Sequence, residues 1–437
     1  MVSSTNLSVA MNGVKVGTLS LARSGAMIFQ YRPEWLKRPG ARAISLSLPL
    51  TTAPYRGEAV YNFFDNLLPD SEAIRARMQA QFQVPTRHPF DLLASIGRDC
   101  VGAIQLYPCD MTMPSVRHVS AEPLDEHAIE ALLAGYQDAP LGMARNQDFR
   151  ISLAGAQEKT ALLWYQETWQ RPTGSTPTSH IFKLPIGFLD HSNIDLRQSG
   201  ENEWLCLQLL EAFGMPVAQA KLAQFGTQQV LVVERFDRRW SEDGSWLMRL
   251  PQEDFCQALG VAPALKYESD GGPGIPDALR LLRGSQQARR DQELFFKAQL
   301  LFWVLAAIDG HAKNFSLFLE PGSAYRMTPL YDVISAYPLM RQGSLAPERA
   351  KMAMAVKGKN RHYRWARVEP RHFIHTANQA GFSIDRATAA IQDIVERAGR
   401  IITDIDGRLP DDFPASTSDP IFEGILQQAA RLEDFLA

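Results

Sequence analysis

The stretch of sequence that decides the fold reads DGHAKNFS and occupies residues 309–316, directly after the strongly apolar residues 300–308. The apolar run predicts a helix, so Asp309 should stand at a helix end on an exposed loop, where a carboxylate can accept a proton or orient a hydroxyl. Asn314 follows five residues later, and its amide oxygen can bind a cation. This Asp-x-x-x-x-Asn spacing is that of a kinase catalytic loop, although two residues that merely cap a turn would show it too.

A second acidic residue strengthens the kinase interpretation. Residues 315–331 predict two short strands around the turn-forming sequence EPGS at 320–323, so the chain should double back and bring Asp332 beside Asn314. Asp332 and Asn314 can then share one Mg²⁺ ion. Phosphoryl transfer needs such a cation because the reacting groups are all negatively charged. His311 has no second histidine at a ligand spacing, so a zinc site is disfavoured and a structural role for this side chain is favoured.

Residues upstream of this loop are candidates for holding ATP. Lys183 is an isolated cation in the apolar strand predicted over 180–184, and it suits the α- and β-phosphates, although a lysine at a strand edge has the same appearance. The next predicted helix, residues 201–213, carries Glu201 and Glu203. Either carboxylate can orient Lys183, and the sequence does not choose between them.

Two further segments complete the predicted nucleotide site. A strand over 230–234 leads into Glu234, Arg235 and Phe236, where backbone groups can hydrogen-bond adenine across a hinge between lobes. Residues 152–160, SLAGAQEKT, form a plausible phosphate-cradling turn that matches neither G-x-G-x-x-G nor the Walker A pattern. The candidate residues of this turn are Ala154, Gly155, Ala156, Gln157, Glu158 and Lys159.

Local signals predict several other elements. Asn12 and Gly13 stand between two alternating apolar runs, which predicts a β-hairpin. Ser199 can cap the helix of residues 201–213 from outside, and Gly214 suits the left-handed position that follows it. Residues 252–259 predict a single helix.

The whole chain predicts an α+β fold in more than one part. With 437 residues it exceeds what one hydrophobic core usually organises. Strands dominate the first half and helices the second, so we expect an N-terminal α+β subdomain over 1–110, an N-lobe with the phosphate loop and hinge over 111–250, and a mainly helical C-lobe with the catalytic loop over 251–437. No leader-like or membrane-spanning run is visible, which predicts a cytoplasmic protein.

One local feature indicates nucleic acid. The net charge of -3 does not recruit DNA by itself, but no acidic residue lies between Glu348 and Glu369. Lys357, Lys359 and Arg361 belong to this basic stretch, which favours contacts with phosphates through counterion release. A solvated basic surface is the alternative interpretation.

Taken in order, these segments resemble the HipA family of toxin kinases, the enzymatic halves of bacterial HipA/HipB toxin–antitoxin pairs. The resemblance covers nearly the whole chain, and it is carried by residues 63–70, 151–163, 182–187, 233–240, 249–256, 266–274 and 309–335. It implies a two-lobed protein-kinase-like core with an added N-terminal subdomain. It also implies an ATP- and Mg²⁺-dependent serine/threonine protein kinase.

The resemblance assigns roles to individual residues. It implies Asp309 as the catalytic base, Asn314 and Asp332 as Mg²⁺ ligands, and Lys183 on the phosphates. It places Glu234 and Phe236 at the adenine and the loop of residues 155–160 near the γ-phosphate, and Ser152 matches an autophosphorylated serine. Arg235, His311, Lys313 and Tyr331 are further candidates for nucleotide binding.

The resemblance implies partners as well. They are a HipB-type antitoxin, operator DNA bound through the antitoxin complex, and an aminoacyl-tRNA synthetase as substrate, glutamyl-tRNA synthetase in the best-known branch. The alternatives are a small-molecule kinase and a catalytically idle DNA-associated regulator. Retention of Asp309, Asn314, Asp332 and Lys183 argues against the idle regulator.

Overall fold

The structure is a computed structural model that describes residues 5–135, 157, 159–189 and 194–437. The chain forms two compact units, each built from three segments. The first unit comprises Met1–Leu184, Ala223–Ala264 and Leu317–Tyr325, and the second comprises Pro185–Leu222, Leu265–Ser316 and Arg326–Ala437.

Strands outnumber helices in the first two thirds of the described chain, and long helices dominate the last third. The first part contains β1 Asn6–Met11, β2 Val14–Leu21, β3 Met27–Tyr31, α1 Pro33–Leu36, β4 Tyr55–Arg56, α2 Glu58–Asp65, α3 Glu72–Gln81, α4 Pro89–Ile96, β5 Ile104–Pro108, β6 Ala121–Pro123, α5 Glu126–Ala134, β7 Lys159–Tyr165, β8 Thr168–Pro172 and β9 His180–Lys183. Next come β10 Gly187–Leu189, β11 Ile194–Leu196, α6 Ser199–Ala212, β12 Ala220–Phe225, β13 Gln228–Glu234, β14 Arg238–Trp240, β15 Leu247–Arg249, β16 Gln252–Asp254 and α7 Phe255–Leu259. The remainder contains α8 Ile275–Leu282, α9 Ala288–Val304, β17 Ser316–Leu319, β18 Tyr325–Met327, α10 Tyr337–Arg341, β19 Lys351–Lys357, β20 Arg361–Arg364, α11 Pro370–Gln379, α12 Ile384–Asp406 and α13 Ala415–Leu436.

The N-terminal sheet has the strand order β4-β3-β2-β1-β5. Its first hairpin turns at Asn12 and Gly13, whose φ angles of 46° and 75° both lie in the left-handed region. A two-residue turn of this kind matches the twist of the flanking strands, which is why Asn-Gly is such a strong hairpin signal. The predicted hairpin is therefore confirmed. Its sheet shares one apolar core with α2, through Phe29, Phe63 and Phe64.

A second sheet in the first unit has the order β12-β13-β9-β7-β8-β6. Its strand β13 confirms the strand predicted over 230–234. The pairs β13/β9 and β9/β7 are antiparallel, so residues that lie opposite one another present their side chains on the same face.

The second unit is mainly helical. Helix α12 packs against α6, α9, α11 and α13, and its buried side chains recur along one face, as expected for an amphipathic helix. Helix α9 is buried almost throughout its second half and leads into residues 305–308. The helix predicted over 300–308 therefore ends earlier than expected, at Val304, and the positive φ of Ala306, 48°, is not helical, so Asp309 follows the helix end by five residues. In the described ranges, each helix is too short or too polar to span a bilayer.

Two local predictions are wrong. Residues 252–259 do not form one helix, because Asp254 caps α7: its carboxylate accepts the Gln257 N–H at 2.8 Å, while the Gln257 side chain accepts the Asp254 N–H at 3.0 Å. Residues 252–254 are strand β16 instead. Ser199 does not cap α6 from outside; it is the first residue of that helix, and its hydroxyl accepts the Ile186 N–H at 3.0 Å.

Candidate active site

Asp309 is exposed at the start of the loop that follows α9, as the sequence predicts. The backbone of this loop packs closely against α9. A Cβ at Gly310 would approach the Phe302 ring to 2.4 Å, so only glycine allows the backbone to lie this close to the helix. Ala312 and Phe315 are buried on either side of Lys313 and Asn314. Buried residues of the loop therefore hold an exposed carboxylate.

Asn314 joins the two acidic residues of the site. Its side-chain Nδ2 donates to the backbone carbonyl of Asp309 at 2.9 Å and lies 3.5 Å from the carbonyl of Asp332. The amide is largely buried, so these contacts fix its orientation. With the nitrogen end turned toward the two carbonyls, the opposite end, Oδ1, is the atom that suits a cation.

The segment around Asp332 is held by its neighbours in the second unit. The Tyr331 hydroxyl donates to the Lys313 carbonyl at 2.8 Å and contacts the Ser316 hydroxyl at 2.5 Å. Asp332 itself has a φ of 60°, which is uncommon for a residue with a side chain and is concentrated at functional sites. The reversal of the chain predicted between 315 and 331 is confirmed, and it brings Tyr331 and Asp332 to the loop of Asn314.

This donor set fits magnesium. Among the described residues, no three His, Cys, Asp or Glu side chains gather into a metal-binding group. One carboxylate oxygen from Asp332 and one amide oxygen from Asn314 are the hard ligands that Mg²⁺ accepts when phosphates and water supply the rest. Zinc prefers nitrogen and sulfur ligands, so this set does not resemble a structural zinc site.

Two lysines lie opposite one another on the second sheet of the first unit. Lys159 on β7 pairs with Lys183 on β9, and Lys183 pairs in turn with Leu231 on β13. Lys183 is 7% exposed. The register therefore places two lysines side by side on neighbouring strands, and the binding of phosphate by Lys183 stays a prediction.

Most of the predicted phosphate loop lies outside the described residues. Ser152, Ala154, Gly155, Ala156 and Glu158 are in this group. Gln157 is described, and its side-chain amide donates to the Leu184 carbonyl at 2.8 Å, which ties the end of the loop to the strand of Lys183.

The predicted hinge is exposed at Glu234 and half-buried at Phe236, whose ring lies edge-on to Phe318 with centroids 5.8 Å apart. Arg235 faces the other way. Its backbone N–H donates to the Ser179 carbonyl at 2.9 Å, and its guanidinium pairs with Asp237 at 2.9 Å and Asp99 at 3.3 Å inside the unit. The contact of Glu234, Arg235 and Phe236 with adenine stays a prediction, and the structure directs the side chain of Arg235 into the core.

Glu201 and Glu203 are both buried on α6. Burial raises the pKa of Glu201. Between them, Asn202 exchanges two hydrogen bonds with the Ser335 backbone, at 2.9 Å and 2.8 Å, and so holds α6 against the segment that follows Asp332. Which glutamate orients Lys183 stays open.

Sequence reasoning missed one contact to the candidate catalytic residue. The hydroxyl of Tyr267 donates to Asp309 Oδ1 at 2.6 Å, and its ring meets the His311 ring edge-on at 5.0 Å. His311 and Lys313, both predicted at the nucleotide, are buried. Forty-two residues separate Tyr267 from Asp309, and no local spacing in the sequence indicates such a contact.

The predicted basic surface forms the hairpin of β19 and β20. Lys357 and Arg361 are a cross-strand pair, and Lys359 lies in the exposed connection between them. Arg361 Nε is 3.5 Å from the buried carboxylate of Glu268. Trp365, which follows the hairpin, is buried and exchanges hydrogen bonds with Trp303, so its ring belongs to the core.

Comparison with known proteins decides the family. Residues 7–107 match the model of the HipA N-terminal domain, and residues 151–402 match that of the HipA-like C-terminal domain. The chain belongs to the HipA family. This HipA-family chain is 33% identical over 408 residues to a Sinorhizobium fredii protein, Y4mE, whose name designates a kinase, with 91% of this chain and 92% of the relative covered.

Two further comparisons agree with that placement. The serine/threonine-protein kinase toxin HipA of Shewanella oneidensis is 27% identical over 349 residues, with 75% of each chain covered. A solved structure described as the Shewanella oneidensis MR-1 HipA, HipB and operator DNA complex superposes with a TM-score of 0.81 at 22% identity, covering 98% of this chain and 97% of that one. The predicted kinase-like α+β fold with its added N-terminal domain is confirmed, and the family is one of kinases.

Proposed function

We propose that this chain is a serine/threonine protein kinase that transfers the γ-phosphoryl group of ATP to a protein hydroxyl. One observation carries the proposal: the Asn314 side chain hydrogen-bonds the backbone carbonyl of Asp309 and lies 3.5 Å from that of Asp332, so the proposed base and the two proposed metal ligands lie on neighbouring segments. The family's kinase members support the same chemistry.

Each residue has a defined task in the proposed reaction. Asn314 Oδ1 and the Asp332 carboxylate would hold Mg²⁺, which would supply positive charge next to the phosphates. Lys183, with Lys159 opposite it, attracts the phosphates. Asp309 accepts a hydrogen bond from the acceptor hydroxyl and aligns its oxygen with the phosphorus. The exposure of Asp309 suits a protein acceptor, because a macromolecular substrate must reach the carboxylate from solvent.

The biological setting is proposed from the family. The solved relative is described as a complex of HipA, HipB and operator DNA, which supports a HipB-type antitoxin and operator DNA as partners of this chain. The exposed Lys359 and Arg361 are the candidates for contact with DNA phosphates. We propose that the substrate is an aminoacyl-tRNA synthetase, with glutamyl-tRNA synthetase as the leading candidate, and that its phosphorylation arrests growth. We also propose that phosphorylation of Ser152 inactivates the kinase itself.

The test is transfer of label from γ-labelled ATP with Mg²⁺. The wild-type chain should label itself and one synthetase in a purified panel, while Asp332→Asn should lose about 10³-fold or more in rate. Asp270→Asn is the matched control, because it makes the same change at an exposed residue of the second unit, and it should keep the wild-type rate. Label that appears only in small molecules would identify a small-molecule kinase. An unlabelled reaction with intact antitoxin binding would identify the idle regulator.

A further inference from the structure

The phenol of Tyr267 makes a short hydrogen bond to the carboxylate that the proposed mechanism uses. Its oxygen donates to Asp309 Oδ1 at 2.6 Å. Distances of about 2.5–2.7 Å are typical of a hydroxyl that donates to an ionised carboxylate, and such bonds are about twice as strong as neutral ones. The bond occupies Oδ1, so in the proposed mechanism Oδ2 is the oxygen that accepts from the substrate hydroxyl.

Tyr267 is itself fixed to the catalytic loop. Its ring stands at 89° to the ring of buried His311, with centroids 5.0 Å apart. The backbone before it is joined to the same loop, because the Ala312 N–H donates to the Lys266 carbonyl at 3.2 Å. The phenol thus approaches Asp309 from a segment that is hydrogen-bonded to the loop carrying Asp309.

The residue after Tyr267, Glu268, attaches the same segment to strand β19. Glu268 is 8% exposed, and its Oε2 accepts the Ala355 N–H of β19 at 2.6 Å. Burial raises the pKa of this carboxyl, against the lowering by the Ala355 N–H and by Arg361. A Cβ at Gly274 would lie 2.5 Å from the Glu268 carboxyl carbon, so only glycine allows the backbone at residue 274 to lie this close to the Glu268 side chain.

We propose that Tyr267 is a positioning residue for the phosphoryl-transfer reaction, holding Asp309 in the one rotamer that presents Oδ2 to the acceptor hydroxyl. An exposed aspartate without this bond would populate several rotamers, and only a fraction would align the nucleophile. The inference rests on the proposed function, because it assigns Asp309 the orienting role.

The decisive variant is Tyr267→Phe, which keeps the ring that packs on His311 and removes only the hydroxyl. We expect kcat to fall about 10- to 100-fold, with the KM for ATP within about twofold of wild type, since the lost bond acts on the acceptor side. Tyr61→Phe is the control: it removes the same hydroxyl from an exposed residue in the first unit, and its kcat should equal that of wild type.

Three measurements keep the outcomes separate: kcat, ATP affinity by direct binding, and the melting temperature. A loss of kcat at unchanged ATP affinity and melting temperature supports the inference. A kcat within about twofold of wild type overturns it, and so does a loss that comes with weaker ATP binding and a lower melting temperature, because Tyr267 would then be only structural. An active Asp309→Asn variant would overturn the proposed function instead, whereas an inactive Asp309→Asn beside a fully active Tyr267→Phe would overturn this inference alone.

Discussion

The substitution Asp99→Asn tests how a buried charge cluster stabilises the first unit. Asp99 accepts five hydrogen bonds. Its Oδ1 accepts from Arg238 at 2.9 Å and from Arg249 at 3.0 Å. Its Oδ2 accepts from the Thr178 N–H at 3.1 Å, the Thr178 hydroxyl at 2.8 Å and Arg235 at 3.3 Å. Burial would raise the pKa of Asp99, but the three guanidinium groups lower it below its usual value. Asp99 is therefore ionised at neutral pH.

The size of the expected stability loss follows from the charge and the hydrogen-bond acceptor that Asp99→Asn removes. Three guanidinium groups already outnumber the two carboxylates, Asp99 and Asp237, and removing one charge leaves the arginines less compensated in a region where their side chains are at most 2% exposed. The asparagine amide would also turn its own N–H groups toward two or more donors. Breaking a buried pair on one side costs about 3–5 kcal/mol, and we expect a free-energy loss of about 4 kcal/mol.

Thermal unfolding followed by circular dichroism measures this loss. At about 2–4 °C per kcal/mol for a unit of this size, the melting temperature of Asp99→Asn should fall by about 8–16 °C. Asp110→Asn makes the same chemical change at an exposed position nearby in sequence, and it should shift the melting temperature by less than about 2 °C. If Asp99→Asn melted within about 2 °C of wild type, the cluster would not contribute the expected stability.

Three further predictions concern other parts of the chain. Burial raises the pKa of Glu253 to about 8, so between pH 4.5, its pKa in the unfolded chain, and pH 8 only the folded state keeps the proton. The free energy of unfolding should therefore fall by roughly 4 kcal/mol as the pH rises from about 5 to about 8. In urea unfolding, Glu253→Gln should make the free energy of unfolding depend less on pH over this range. Reversing the charges of Lys357, Lys359 and Arg361 together should weaken operator binding by the antitoxin complex. It should also reduce the dependence of the binding constant on salt concentration by the equivalent of about three phosphate contacts. An unaltered salt dependence would mean that the three side chains are only solvated surface residues. Mass spectrometry after incubation with Mg²⁺-ATP should find phosphate on Ser152, with reduced ATP binding by the modified chain; normal ATP binding would leave the modification without an inhibitory role.

Local sequence signals predicted the elements that rest on local physics. Asn12-Gly13 specified a hairpin because both residues tolerate positive φ, and Gly214, with a φ of 82°, ended α6 for the same reason. The reversal after Asn314 was predicted from turn-forming residues at 320–323. These features depend on a few neighbouring residues, so one sequence is enough to reveal them.

Features that depend on distant partners could not be predicted in this way. The cluster around Asp99 joins the N-terminal domain to arginines that lie 136 to 150 positions later in the chain, and the Tyr267 phenol reaches Asp309 across 42 residues. Strand β16 was wrongly predicted as helix because three residues are too few to show the alternation of apolar and polar side chains that marks a strand. They also pair with β17, which lies far along the chain. Helix α13 was not predicted at all, although its apolar residues recur at helical spacing.

The measurement that tests the central claim most directly is the rate of phosphate transfer from Mg²⁺-ATP to protein serine or threonine by the wild-type chain and by Asp309→Asn. The substitution removes one charge at nearly constant volume at an exposed residue, so ATP binding and the melting temperature should be retained. We predict phosphoserine or phosphothreonine with the wild type and a loss of about 10³-fold or more with the variant. Equal rates for the two proteins, or no protein phosphorylation by the wild type, would contradict the assignment of Asp309 as the residue that orients the acceptor hydroxyl.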